Sequence, residues 1–209
     1  MGRRPRPPER GAGAVGVGMT AVHFWYEFAS TYSYLAAMRI EAAAAGREVV
    51  WRPFLLGPIF AAQGMSDSPF NIYPVKGAYM WRDMERLCAA AALPWRRPSQ
   101  FPRNGVLASR LVLALPEASQ RAAFSKAVYT ANFVDDLDIA QAEVLGDLLQ
   151  ALGLPATALM EKAQSPEIRQ DLRNQTEEAG RLGIFGAPSF TVDGELFWGQ
   201  DRLQQALAW

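Results

Sequence analysis

Strand chemistry in this chain is confined to its two ends. Near the start, Val22–Phe28 (VHFWYEF) and Glu48–Phe54 (EVVWRPF) are aromatic and β-branched runs. Near the end, Pro188–Val192 and Glu195–Trp198 flank the turn Asp193-Gly194, which reads as a hairpin. Ser30-Thr31-Tyr32-Ser33 leads from the first run into YLAAMRIEAAAAG, an Ala-rich helix stopped by Gly46. A strand–helix–strand opening favours a parallel pair with a right-handed crossover. A sheet therefore has to be assembled from segments far apart in the chain.

The stretch between, from about 58 to 183, reads as helical. Ala78–Ala92 is one helix, closed by Leu93-Pro94, and Leu107, Leu111 and Leu115 fall on one helical face. Val144, Leu145, Leu148, Leu149 and Leu152 repeat that spacing before Gly153. Ser165-Pro166-Glu167 is a helix start, with proline at the first helical position, and the helix runs to about Leu182 and Gly183. A last helix is expected over Arg202–Trp209. The chain is α/β: β-α-β and β-β-α halves around a helical insertion, without internal repeats.

Composition narrows the function. Half of the 209 residues are hydrophobic, enough for a real core, and 21 basic residues balance 21 acidic ones. Zero net charge argues against nonspecific binding of nucleic acid, and no apolar run is long enough to span a membrane. With one Cys (Cys88) and one His (His23), neither a disulfide framework nor a Cys/His zinc site is possible within the chain. A dithiol oxidoreductase is excluded for the same reason. His23 lies in a strand and Cys88 reads as a buried small hydrophobe in a helix. Asp135-Asp136-x-Asp138 lacks the glycine and terminal glutamate of a calcium loop and reads as an acidic helix cap, so no metal is expected. Chemistry in such a chain points to a bound small molecule. Residues 1–18, rich in Arg, Pro, Gly and Ala, are expected to form a disordered N-terminal extension. The twin Arg3-Arg4 lacks the apolar region of a secretion signal, which points to a cytoplasmic protein.

Three segments carry a family resemblance: FWYEFASTYSYLA, PFNIYPVKGAYMWRDMERLC and GIFGAPSFTVDGELFWGQDRL. Together they resemble the 2-hydroxychromene-2-carboxylate isomerase family, a sibling of kappa-class glutathione transferases and of DsbA-like proteins. The similarity runs from about Val22 to Leu207. It implies a thioredoxin-like fold with a large helical insertion, the thioredoxin-like part being 19–57 and 184–209 and the insertion 58–183.

The resemblance also implies roles. Ser30, where thioredoxin relatives carry the first cysteine of Cys-x-x-Cys, is the catalytic residue and donates a hydrogen bond to the sulfur of glutathione; by its position alone it serves equally as a helix cap. Thr31 replaces the family's usual proline. Pro188 is expected to be cis, exposing the backbone of Ala187 to the cysteinyl part of glutathione. Gln200 and Asp201 hold its γ-glutamyl end, although Asp201 alone reads as a first-turn acid. Lys76 and Asn71 face a small aromatic substrate, with Tyr79, Arg82 and Trp198 near the pocket. The implied activity is glutathione-dependent cis–trans isomerisation of 2-hydroxychromene-2-carboxylate or a similar intermediate, by a homodimer. A kappa-like transferase and a non-catalytic thioredoxin-fold binding protein are the alternatives.

Overall fold

A computed structural model describes residues 20–209; the expected extension at 1–18 lies outside the described residues. Strand β1 (Val22–Tyr26) pairs in parallel with β2 (Val49–Pro53) and antiparallel with β3 (Ser189–Val192), which pairs antiparallel with β4 (Glu195–Trp198). The sheet order is β2-β1-β3-β4, so the central strands come from opposite ends of the chain. Asp193 and Gly194 both have positive φ (49° and 84°), as a two-residue hairpin turn requires.

Alternation along β1 divides the core between two faces. Val22, Phe24 and Tyr26 join the main cluster, where Phe24 stacks on Tyr26 and Phe190 and meets Trp51 edge-on. Trp25 points the other way, into a smaller cluster with Phe54, Ala179 and Ile184. His23 shares that second face, where its Nδ1 accepts a hydrogen bond from Arg52 (3.1 Å); burial, then Arg52, lowers its pKa.

Where one helix was expected after Ser30, two form: α1 (Thr31–Ala37) and α2 (Ile40–Ala44). At the break the Arg39 N–H bonds to Ala36, one residue short of the helical partner, while its side-chain Nε donates to the Leu35 carbonyl (2.9 Å). Between β2 and β3 run α3 (Leu56–Ala62), α4 (Pro69–Ile72), α5 (Pro74–Ala90), α6 (Val106–Ala114), α7 (Ala118–Phe133), α8 (Ala142–Ala151), α9 (Ala156–Ala163) and α10 (Pro166–Arg181). Helix α5 starts at Pro74, ahead of the expected Ala78, because proline is preorganised for a first helical position. Ser165 caps α10 by accepting from the Ile168 N–H (3.3 Å). The last helix, α11 (Leu203–Ala208), is entered through a 3-10 turn at Gln200–Arg202. One hydrophobic cluster joins sheet and helices, including Phe24, Trp51, Met80, Leu111, Tyr129 and Phe190.

The Asp135–Asp138 segment is a loop clamp and not the expected helix cap. Helix α8 begins after Gln141. Asp136, at φ 59°, accepts from the Ser99 N–H and hydroxyl and pairs with the guanidinium of Arg103, a side chain only 3% exposed. The Ser99 N–H, and then Arg103, hold the Asp136 carboxyl at about 2.

Candidate active site

A cavity of about 1110 Å³ opens where the β1–α1 turn, α3 to α5 and the turn before β3 converge. Ser30 stands in its wall as the residue capping α1, with its hydroxyl oxygen accepting the Ser33 N–H (3.2 Å). The same hydroxyl donates to the Ala187 carbonyl (2.9 Å), joining the two ends of the chain at the cavity. The Ala187–Pro188 bond is cis, as the resemblance implies. Pro188 is buried, and its carbonyl accepts the Gly199 N–H (2.9 Å), which fixes the turn leading to Gln200 and Asp201.

Two glycines of the C-terminal motif have steric reasons. A Cβ on Gly186 would run into the indole of Trp198, which packs over that glycine and against Phe185 (centroids 4.7 Å apart). Gly199 has φ 109°, and a Cβ there would meet the Asp201 carboxylate. The backbone therefore lies close beneath both side chains.

Ala187, Gln200, Asp201 and Lys76 line the cavity together with Ser30. Gln200 is half-buried, and its Oε1 accepts a hydrogen bond from Arg39 Nη2 (2.5 Å), leaving its NH2 as the available end. The Asp201 side chain is 61% exposed and sits 3.2 Å from the Arg202 guanidinium. The Lys76 ammonium lies 5.7 Å from the centre of the Phe70 ring. Asn71 is not in the wall: it is exposed on α4 and its amide donates to Asp67 (3.1 Å). Of the flanking residues, Tyr79 and Trp198 line the cavity, whereas Arg82 pairs with Glu85 on an exposed face. Cys88 is buried and burial pushes its thiol up to about 11, far from a reactive thiolate.

Three residues at the site were not anticipated. Glu27 lines the cavity three positions before Ser30, and desolvation pushes its carboxyl up to about 7 against the opposing Ala29 N–H. The available signal was a lone acid inside the aromatic run Val22–Phe28, three positions before Ser30. Arg39, a lone cation in an Ala-rich helix, orients Gln200. Tyr32 donates to Asp83 across the cavity wall (2.9 Å), and burial together with Asp83 raises its pKa. The remaining wall is largely apolar, with Leu56, Phe60, Phe70 and Phe101 among its side chains.

A four-stranded mixed sheet with a cis-proline turn facing a capped strand-to-helix junction defines a protein of the thioredoxin class. Residues 21–208 match the model of the DSBA-like thioredoxin domain. The chain belongs to this DsbA-like family, in the branch of 2-hydroxychromene-2-carboxylate isomerases and kappa-class glutathione transferases. It is 30% identical to a 2-hydroxychromene-2-carboxylate isomerase of Sphingobium xenophagum, over 87% of this chain and 93% of the relative. It is 26% identical to human glutathione S-transferase kappa 1, over 88% of this chain and 87% of the relative. A solved 2-hydroxychromene-2-carboxylate isomerase superposes with a TM-score of 0.82 at 24% identity, covering 90% of this chain and 93% of that one. The relatives are enzymes, and among the described residues no helix is long and apolar enough to cross a membrane.

Proposed function

We propose that the protein is a glutathione-dependent cis–trans isomerase of 2-hydroxychromene-2-carboxylate or a similar aromatic-degradation intermediate. The observation that carries this reading is the polar edge of the cavity, to which Ser30, Ala187, Gln200 and Asp201 all contribute beside largely apolar side chains. That edge matches a tripeptide thiol. The Ala187 carbonyl takes its cysteinyl N–H, the Gln200 NH2 takes its α-carboxylate, and the Asp201 carboxylate takes its ammonium. Bound glutathione supplies a thiolate whose addition to a conjugated double bond, and later loss, permits rotation about that bond.

Ser30 governs the state of that sulfur. A free thiol titrates near ~8.5, and stabilising its anion by about 1.4–2.8 kcal/mol lowers this by about one to two units. The Ser30 hydroxyl has one proton, now given to Ala187. When a peptide N–H occupies that carbonyl, the hydroxyl turns and donates to sulfur. Lys76 holds the substrate carboxylate, and Asn71 its hydroxyl or carbonyl once the amide turns from Asp67. The same reading takes the protein to act in the cytoplasm, as a homodimer, on a small aromatic molecule.

Calorimetric titration with glutathione tests it. Binding in the micromolar to low-millimolar range that weakens in Asp201→Ala supports the cofactor site. No binding by a well-folded sample removes it and favours a non-catalytic thioredoxin-fold protein. A kappa-like transferase is the second reading, favoured by the human relative. A stable thioether conjugate by mass spectrometry, without isomerised substrate, decides for it.

A further inference from the structure

The turn that carries Ser30 begins on a carboxyl group to which the roles above give no work. The Glu27 backbone carbonyl accepts the Ser30 N–H (2.9 Å) and the Tyr129 hydroxyl (3.0 Å), and Asn132 holds the next carbonyl, that of Phe28 (3.0 Å). Glu27 and Ser30 therefore stand at the two ends of one pinned turn, and both line the cavity. A Cβ on Gly105 would press on the Phe28 side chain and come within 3.3 Å of Glu27 Oε1, so glycine there leaves the carboxyl its space.

The carboxyl itself is nearly unpartnered. Its one hydrogen bond among the described residues is from the Ala29 N–H to Oε1 (3.3 Å), and none of the ion pairs includes it. Among the described residues, the titratable groups nearest it or sharing its cavity are Tyr129 from α7, Tyr32 from α1, Asp67 and Tyr73 beside α4, Lys76, Tyr79 and Asp83 from α5, and Asp201; none bonds to it. A desolvated carboxyl without a cation retains its proton into the neutral range. A purely structural acceptor for one N–H does not require an ionisable group in the cavity wall.

We propose that Glu27 is the general acid–base of this site, carrying a proton to and from the carbonyl oxygen of a conjugated substrate bound beside Ser30. The inference rests on the functional reading above. As a sulfur nucleophile bonds to the far carbon of the double bond, the π pair passes toward the substrate carbonyl. The Glu27 O–H bond breaks and its proton joins that oxygen, leaving the Glu27 carboxylate. After rotation about the carbon–carbon bond, the proton returns to Glu27. The electron pair then re-forms the alkene, and the sulfur departs with its bonding pair. Nothing is consumed.

The test is Glu27→Gln, which keeps shape and removes the transferable proton. In the parent, kcat falls as pH rises through about 7, because the acid form is the working one. In the variant, kcat drops by about 10²-fold or more and that limb disappears, while glutathione affinity stays within about twofold. Carbon-13 NMR of glutamate-labelled protein adds a readout independent of turnover: one carboxyl signal titrates near neutral pH in the parent and is missing from the variant. A parent that binds no glutathione overturns the underlying reading and this role with it. A parent that binds glutathione and isomerises, beside a variant within about threefold of its kcat or retaining the limb, overturns the role of Glu27 alone. Circular dichroism of both samples separates misfolding from lost chemistry.

Discussion

Ser30 and Ala187, 157 positions apart in the chain, share a hydrogen bond of 2.9 Å in which the serine spends its only proton on the alanine carbonyl. Its oxygen at the same time accepts the Ser33 N–H (3.2 Å). The hydroxyl is thus held by two backbone groups, and only one of those bonds has to be exchanged for it to serve a ligand. On the function proposed above, capture of a peptide N–H and activation of the adjoining sulfur become one event.

Ser30→Ala therefore costs chemistry more than structure. Loss of the cap destabilises by about 1 kcal/mol. The thiol of bound glutathione titrates about one to two units higher, which lowers turnover near neutral pH by about 10–100-fold. Ultraviolet titration of the thiolate in the complex reads the first effect and steady-state kinetics the second. Equal thiol titration in parent and variant refutes the role given to this hydroxyl.

Arg39 fixes the orientation of the Gln200 amide at the cavity wall. With Oε1 held by the guanidinium at 2.5 Å, Gln200 offers only donors. Arg39→Ala frees the amide to rotate, and glutathione affinity falls roughly tenfold, with kcat little changed. A calorimetric double-mutant cycle with Gln200→Ala checks this: the two losses are expected to be less than additive, and full additivity rules out coupling through that bond.

Gly186→Ala sets a methyl group against the Trp198 indole. The expected cost is about 1–3 kcal/mol in urea denaturation, with altered tryptophan fluorescence as the ring moves. Trp198→Leu in the same chain returns part of that stability. A Gly186→Ala protein as stable as the parent, with unchanged emission, contradicts this packing.

Asp136 gives a pH signature outside the cavity. Its folded-state carboxyl is held at about 2, below the ordinary 3.8, so its contribution is present above 3.8 and is lost as pH falls through about 2. Asp136→Asn lowers Tm at pH 7, because Arg103 is left buried without its carboxylate. The gap between variant and parent narrows between pH 3.8 and 2. A gap independent of pH over that range excludes the ion pair as its source.

Much of the fold was legible because its signals are local. The Asp193-Gly194 turn, the Ser165 cap and the alternation of Val22, Phe24 and Tyr26 each act within a few residues, through backbone geometry and side-chain period. The position of Ser30 at a strand-to-helix junction was legible for the same reason. The break between α1 and α2 was not, because an Ala-rich run favours one continuous helix and the Arg39 side chain that marks the break reaches a residue of the C-terminal turn.

The sequence by itself determined the strands, the helical middle, the hairpin and the family to which they belong, since propensity, turn chemistry and motif spacing are properties of short segments. Only the tertiary structure decided the company each side chain keeps. It set Lys76 in the cavity wall and turned Asn71 toward Asp67, a few residues apart on adjoining helices. It drew Asp136 to the buried Arg103, and it left Glu27 desolvated in the cavity wall with Ser30, without a paired cation among the described residues. Those outcomes depend on distant segments packing together and excluding water, and no local pattern encodes which segments meet.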